Sequence, residues 1–405
     1  GDHRDLHSFP TTTLFRSQNW LLFADEQGIA QQLAKQLNSQ GDICTLVFAG
    51  DEYKQITPTE FTINPKNPSE YEQLIGKLAT ELPAINGVVQ CWSTESGIAA
   101  NVNAEELEKL SQLGCGSTLS LVQALVKGEL SQLPRLWLVT CGSQAVPNSN
   151  PALPGVTQSS LWGMGKVISL EHPELNCSRI DLDQQQTLET QATALFNEVW
   201  SGDKEDQVAL RGDSRYVARL IPSSLREETA NTDKQKSVNF RSDATYLITG
   251  GTGGLGLLVA NWMVSKGAKN LVLVGRSSLK EATKKKLAEL EIAGATVVVE
   301  TADVSDTAAM TRVLQNIEKS QIPLAGIIHS AGMLSDGVLL NQTWSNFEKV
   351  MAAKVQGAWN LHQLTQNHPL DFFVLFSSIA SLLGSPGQAN HSAANSFLDA
   401  LAHYR

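Results

Sequence analysis

Short runs of β-branched and large apolar residues alternate with helical patterns along this chain, and the alternation occurs twice. In the first half the strand-like runs are Trp20–Phe23, Cys44–Phe48, Gly87–Trp92 and Leu136–Cys141, with helical patterns such as Gly28–Leu37 and Glu105–Leu125 between them. In the second half they are Tyr246–Thr249, Leu271–Val274, Thr296–Val299, Gly326–His329 and Phe372–Phe376. Strands that return through helices build parallel sheets covered on both faces. The predicted fold class is α/β, with two Rossmann-like doubly wound parallel-sheet subdomains.

The halves read as copies. WLLFADEQGIAQQLAKQL sits where TYLITGGTGGLGLLVANWM sits later; INGVVQCWSTESG parallels LAGIIHSAGMLSDG, and LPRLWLVTCGSQA parallels LDFFVLFSSIAS. LWGMGKVISLEH parallels the helix beginning near Gln388. Between the halves, residues 222–243 are polar, charged and aperiodic, which predicts a linker. The strand-like stretch Gln207–Leu220 precedes it. The expected organisation is a structural subdomain over 1–221, the linker over 222–243 and a nucleotide-binding subdomain over 244–405.

Composition narrows the function. Of 405 residues 42% are apolar and 18% charged, which excludes a disordered chain, a collagen and a coiled coil. The net charge of −10 argues against nucleic-acid partners, which need Lys and Arg to displace phosphate counterions. No apolar run is long enough to span a bilayer, and the opening GDHRDLHSFP lacks the apolar core of a signal peptide. The expectation is a cytoplasmic protein without a membrane partner. The 5 cysteines include no CxxC pair and are expected to be reduced and buried. The 8 histidines show no metal-ligand spacing, so no metal is expected. Lys280–Lys286 is expected to be a solvated helix face, and most tryptophans, Trp359 among them, core packing; Trp359, five residues past Lys354, is also a candidate for lining a site.

The glycines separate the two copies. Thr249, Gly250, Gly251, Thr252, Gly253, Gly254, Leu255 and Gly256 follow a strand and open a helix. In that position the backbone turns tightly, and free N–H groups at the helix N-terminus face a pyrophosphate. The first copy has ADEQGIA there and is expected to brace its sibling without binding a nucleotide. At the end of the next strand stand Arg276 and Ser277, where an acidic residue would hold a ribose 2′-OH. An arginine pairs with a 2′-phosphate instead, so the expected cofactor is NADPH. Asp303 and Val304 end the third strand, where a carboxylate can accept from the adenine amine.

These motifs, with His329-Ser330-Ala331-Gly332, Lys354-Val355-Gln356-Gly357-Ala358, Phe376-Ser377-Ser378 and Gly387-Gln388-Ala389-Asn390, resemble the ketoreductase domain of modular polyketide synthases, within the short-chain dehydrogenase/reductase superfamily. The first half is similar to that domain's structural subdomain, through Leu161-Trp162-Gly163-Met164-Gly165, Glu171-His172-Pro173-Glu174 and Glu205-Asp206-Gln207-Val208-Ala209. The resemblance implies NADPH-dependent reduction of a β-ketoacyl group to a β-hydroxyacyl group. It implies a substrate tethered to the phosphopantetheine of an acyl carrier protein, and neighbouring synthase domains as further partners. It adds Ser330, Ala331 and Gly332 to the cofactor site.

Reduction places negative charge on the ketone oxygen, which must be hydrogen-bonded and then protonated. By resemblance Ser378 donates to that oxygen, Lys354 supplies charge and organises a proton relay, and Asn395 supports it from the proton donor's helix. The family pattern N-Y-x-x-x-N here reads Asn390-His391-Ser392-Ala393-Ala394-Asn395, so His391 replaces the tyrosine. A nearby ammonium favours phenolate but disfavours imidazolium. Either His391 works as the donor, or the site binds cofactor without reducing, as a scaffold or an epimerase-like domain. Asp336, in Leu334-Ser335-Asp336, and Leu383, where one stereochemical class carries Trp, favour by resemblance a D (3R) hydroxyl. No segment the size of an enoyl reductase lies between Leu220 and Ala244. The last residue, Arg405, falls inside the helix of His391, which predicts an unpaired sheet edge and a fragment that is poorly stable or needs a partner.

Overall fold

The computed structural model describes residues 17–95, 102–147, 153–222 and 239–405. The linker predicted over 222–243 and the opening segment lie largely outside them. The first lobe runs β1 (Asn19–Ala24), α1 (Ile29–Ser39), β2 (Ile43–Ala49), β3 (Lys54–Thr57), β4 (Glu60–Ile63), α2 (Pro68–Glu81), β5 (Gly87–Gln90), α3 (Ala104–Ser111), α4 (Ser117–Lys127), β6 (Arg135–Cys141), α5 (Ser160–Glu171), β7 (Ser178–Leu182), α6 (Leu188–Ser201), β8 (Gln207–Arg211) and β9 (Ser214–Val217). The second runs β10 (Thr245–Thr249), α7 (Gly254–Ser265), β11 (Asn270–Gly275), α8 (Glu281–Ile292), β12 (Thr296–Thr301), α9 (Thr307–Lys319), β13 (Leu324–His329), α10 (Trp344–Met351), α11 (Gly357–Leu364), β14 (Phe372–Leu375), α12 (Ala380–Leu383) and α13 (Ala389–Tyr404).

The second sheet is ordered β12-β11-β10-β13-β14, and all its pairs are parallel. Helices cover both faces, so its central strand β10 is buried at every position. The first sheet has nine strands, β3-β4-β2-β1-β5-β6-β7-β8-β9, with a parallel interior and an antiparallel hairpin at each edge. The stretch Gln207–Leu220 is one of those hairpins. The predicted strand Gly87–Trp92 ends at Gln90, and Trp92 opens a 3₁₀ turn. The predicted helix over Glu105–Leu125 is two helices joined by a π turn at Gln112–Gly116.

One apolar core crosses both lobes, joining Leu161, Met164 and Ile168 of α5 to Ala393, Phe397 and Leu401 of α13. The two helices that the sequence repeat makes equivalent therefore pack on each other. Trp359 belongs to this core, where its Nε1 donates to Val102 O at 2.8 Å. Of its two expected places, the core is the one it takes: it fastens the lobes together. The five cysteines are all buried and unpaired.

Candidate functional site

The strand order of the second sheet reverses between β10 and β13, and open α/β sheets bind ligands in the crevice at such a point. A cleft of about 420 Å³ opens there, lined by Thr249, Gly250, Thr252, Gly253, Gly254, Leu255 and Gly256 from the first turn, by Arg276, Ser277, Asp303 and Val304 along one wall, and by Ser330, Ala331 and Gly332 along the other. That size suits a small-molecule site. Gly250 has φ +67°, and a Cβ on it would stand 2.8 Å from Ala331 N. In front of α7 a Cβ on Gly254 would meet nothing within 4 Å, and no side chain caps that helix. An uncapped helix N-terminus facing open space fits a diphosphate. Gly251 does not line the cleft. It is buried behind the turn, where a Cβ would stand 2.7 Å from Ile248 O, so its role is close packing of the loop on the strand.

The first lobe has filled the equivalent position with its own chain. Asp25, fully buried, accepts from Gly28 N at 2.9 Å and Ile29 N at 3.1 Å through one oxygen, and from Ala30 N at 3.0 Å through the other. A carboxylate thus takes the amides that a phosphate would need. A larger groove of about 720 Å³ lies between α6 and the β8–β9 hairpin, but Glu189, Glu198, Asp203 and Asp213 line it and Arg215 is engaged by two of them. It has no anion cradle.

At the far end of the cleft the Arg276 guanidinium lies 3.8 Å from the Asp303 carboxylate. Partial burial opposes ionisation of Asp303, but hydrogen bonds from Ser305 and the charge of Arg276 outweigh it and hold the carboxyl below its ordinary value. At the near end Thr249 Oγ1 and His329 Nδ1 are 2.7 Å apart, and Ser330 Oγ donates to Thr249 O at 2.8 Å. Burial, and then the charge of Lys354, push His329 down to about 3, so it is neutral.

Lys354 sits in a second π turn, Ala352–Gln356, between α10 and α11; such turns recur at functional sites. The corresponding turn of the first lobe, Gln112–Gly116, holds no lysine. Lys354 is 7% exposed and donates to Phe376 O at 2.8 Å and Asn395 Oδ1 at 2.9 Å. Asn395 Nδ2 in turn donates to His391 O at 2.8 Å. The hydrogen-bonded chain runs from Lys354 through Asn395 to the main-chain carbonyl of His391. Burial pushes Lys354 down to about 8 against the opposing charge of Asp399. His391, half-buried on the first turn of α13, is held below its ordinary value by burial and then by Lys354, with Asp336 opposing. Its Nδ1 is buried without a partner.

Ser378 lies on the turn after β14, two residues past the carbonyl that receives Lys354. Its Oγ accepts from Ala380 N at 3.2 Å, which leaves the hydroxyl proton for an external acceptor. Asp336 and Leu383 stand apart from this chain and are exposed. Asp336 Oδ2 accepts from Gln388 at 3.2 Å, which ties it to the entry of α13. Sequence reasoning missed the Phe376 carbonyl and the Gln388 amide, since a backbone oxygen has no side-chain signature and Gln388 reads as part of a motif without a role. Among the described residues no group of His, Cys, Asp and Glu is placed to hold a metal ion, and no helix is long and apolar enough to cross a membrane.

A family profile described as "KR domain" matches residues 244–405, and one described as "Beta-ketoacyl synthase-like, N-terminal" matches residues 18–198. The chain is 38% identical over 290 residues to a phenolphthiocerol/phthiocerol polyketide synthase of Mycobacterium tuberculosis, covering 71% of this chain but 15% of that protein. Among solved structures, that of A-type ketoreductases from a modular polyketide synthase superposes with TM-score 0.76 at 28% identity, covering 96% of this chain and 77% of that one. An adenylation, ketoreductase and pseudo-Asub multidomain structure of a keto acid-selecting NRPS module superposes with TM-score 0.85 at 26% identity, covering 96% of this chain and 32% of that one.

Proposed function

Because this chain belongs to the ketoreductase domains of polyketide synthases, we propose that it reduces a β-ketoacyl thioester, carried on the phosphopantetheine of an acyl carrier protein, to the β-hydroxyacyl thioester with NADPH. The observation that carries the reading is the chain Lys354–Asn395–His391, built beside a glycine turn that faces open space. The glycine turn and the α7 N-terminus would hold the diphosphate, and Arg276 the 2′-phosphate. NADPH, when bound, supplies hydride to the β-carbon.

The protein's own part is to receive the charge that appears on the ketone oxygen. Ser378 donates its free hydroxyl proton to that oxygen. Lys354, held by Phe376 O and Asn395, adds a fixed positive charge where water is scarce. His391 delivers the proton. A neutral imidazole avoids becoming imidazolate only if its second nitrogen gains a proton as the first gives one up. The imidazolium form meets that need by itself: it gives one proton to the alkoxide, is left neutral, and recovers the proton from solvent after the product leaves, while Lys354 keeps its charge. Asp336 beside Gln388, with no Trp at position 383, supports a D (3R) product.

A second reading has an observation of its own. Burial, and then the charge of Lys354, disfavour the imidazolium form of His391. On that reading the site binds cofactor but the domain serves as a scaffold, or shifts a proton at the α-carbon as an epimerase. NADPH consumption with a diffusible β-ketothioester separates the two. Turnover in the unmodified protein that is lost in Ser378→Ala and His391→Ala supports reduction. Silence that His391→Tyr relieves supports the scaffold.

A further inference from the structure

Among the described residues the first lobe lends nothing to the nucleotide cleft, yet one of its side chains grips both loops that frame the reaction centre. Glu171 ends α5. Its Oε2 accepts from Leu339 N at 2.6 Å and its Oε1 from Gly387 N at 2.7 Å. Leu339 follows the Asp336 turn, and Gly387 precedes the helix of His391. The two loops also touch: Gly337 N donates to Gly387 O at 2.8 Å, and Asn390 Nδ2 donates to Ser335 O at 2.7 Å. Gln123 of α4 holds the other side of the Leu339 peptide, donating to Leu339 O at 2.7 Å.

A carboxylate is the side chain this junction requires. Two amide donors from separate loops meet two acceptor oxygens, and the charge shortens both bonds. Glutamine would offer one acceptor and turn an N–H toward the second donor. Losing the grip leaves part-buried amides unpaired and lets the Asp336 loop slide against α13.

We infer that Glu171 is a positioning residue, through which the first lobe sets the spacing between the Asp336 loop and His391 and so the face of the ketone presented for reduction. The inference rests on the reduction proposed above. It gives the first lobe a part in stereochemical outcome beyond bracing.

The test compares unmodified protein, Glu171→Gln and Glu171→Ala with a diffusible β-ketothioester, reading kcat, KM, NADPH affinity and the enantiomer ratio of the alcohol. We expect kcat to fall about 10-fold in Glu171→Gln and on the order of 100-fold in Glu171→Ala, with NADPH affinity held within about twofold. The enantiomer ratio should erode in both, and amide exchange at Leu339 and Gly387 should speed up. A merely structural residue would lower stability without moving the ratio. If Glu171→Ala fails to fold, Glu171→Gln decides. An unchanged kcat and ratio in folded Glu171→Gln overturns the inference alone. No turnover in the unmodified protein overturns the reduction itself and this inference with it.

Discussion

Gly163 of α5 lies directly against the backbone carbonyl of Ser392 in α13, with no room between them for a Cβ. The contact sits one residue past His391, so the first lobe sets the position of the helix that carries the proposed proton donor. Gly163→Ala should force the helices apart and cost about 1–3 kcal/mol, the usual range for overpacking. Urea unfolding measures the loss, and kcat should fall with NADPH affinity retained, since the glycine turn is remote from this contact.

The buried lysine makes pH a probe. Lys354 is lowered from 10.5 to about 8, so its charge, and with it the rate, should decline as pH rises through about 8. Asp399 opposes the shift, so Asp399→Asn should move the alkaline limb of the rate profile to lower pH. For stability the sign is that of a depressed base. The unfolded chain binds the proton more tightly, so the lysine penalises folding below about 8, and the penalty lifts as pH climbs from about 8 to 10.5. Thermal melts across that window, comparing the unmodified protein with Lys354→Met, check the slope.

Arg276 should decide between the two nicotinamide nucleotides. Removing a charge-assisted contact to a 2′-phosphate should weaken NADPH binding about 10- to 100-fold while leaving NADH within about twofold. Calorimetric titration of Arg276→Ala with both nucleotides measures this. Asp303→Asn, which removes the countercharge at 3.8 Å but keeps an acceptor oxygen for the adenine amine, should leave NADPH binding within about twofold.

In the first lobe Asp25 occupies the amides that would face a phosphate, and the proposed division between the lobes is testable there. Asp25→Ala strands three amides at the start of α1 and should destabilise the protein by about 2 kcal/mol. NADPH stoichiometry should remain one per chain in the variant, because the first lobe has no glycine turn. Two nucleotides per chain would contradict the division between the lobes.

Much of this architecture could be read from the sequence where periodicity and burial coincide. β10 is buried throughout and reads as an unbroken apolar run. β7 escaped notice because SRIDL carries Arg179 and Asp181 into the interior, where Asp206 and Arg211 pair with them. β3 escaped because Lys54–Thr57 is wholly exposed and shows no alternation. The glycine turn announced the cleft, but the difference between Gly254, which opens it, and Gly251, which packs behind it, depends on the third dimension. So does the role of Glu171, which joins residues more than a hundred and fifty positions away in sequence. The capping by Asp25 had a local signal, an acidic residue three before the glycine that precedes α1, but the missing glycines spoke louder.

The most direct measurement is single-turnover NADPH oxidation with a β-ketothioester, followed by chiral analysis of the product, in unmodified protein and in His391→Ala. The account predicts that NADPH and substrate disappear together, that a D-configured β-hydroxythioester forms, and that His391→Ala slows the step on the order of 100-fold, as expected for loss of a general acid. Saturable NADPH binding without any consumption, or a rate indifferent to His391→Ala, would contradict it.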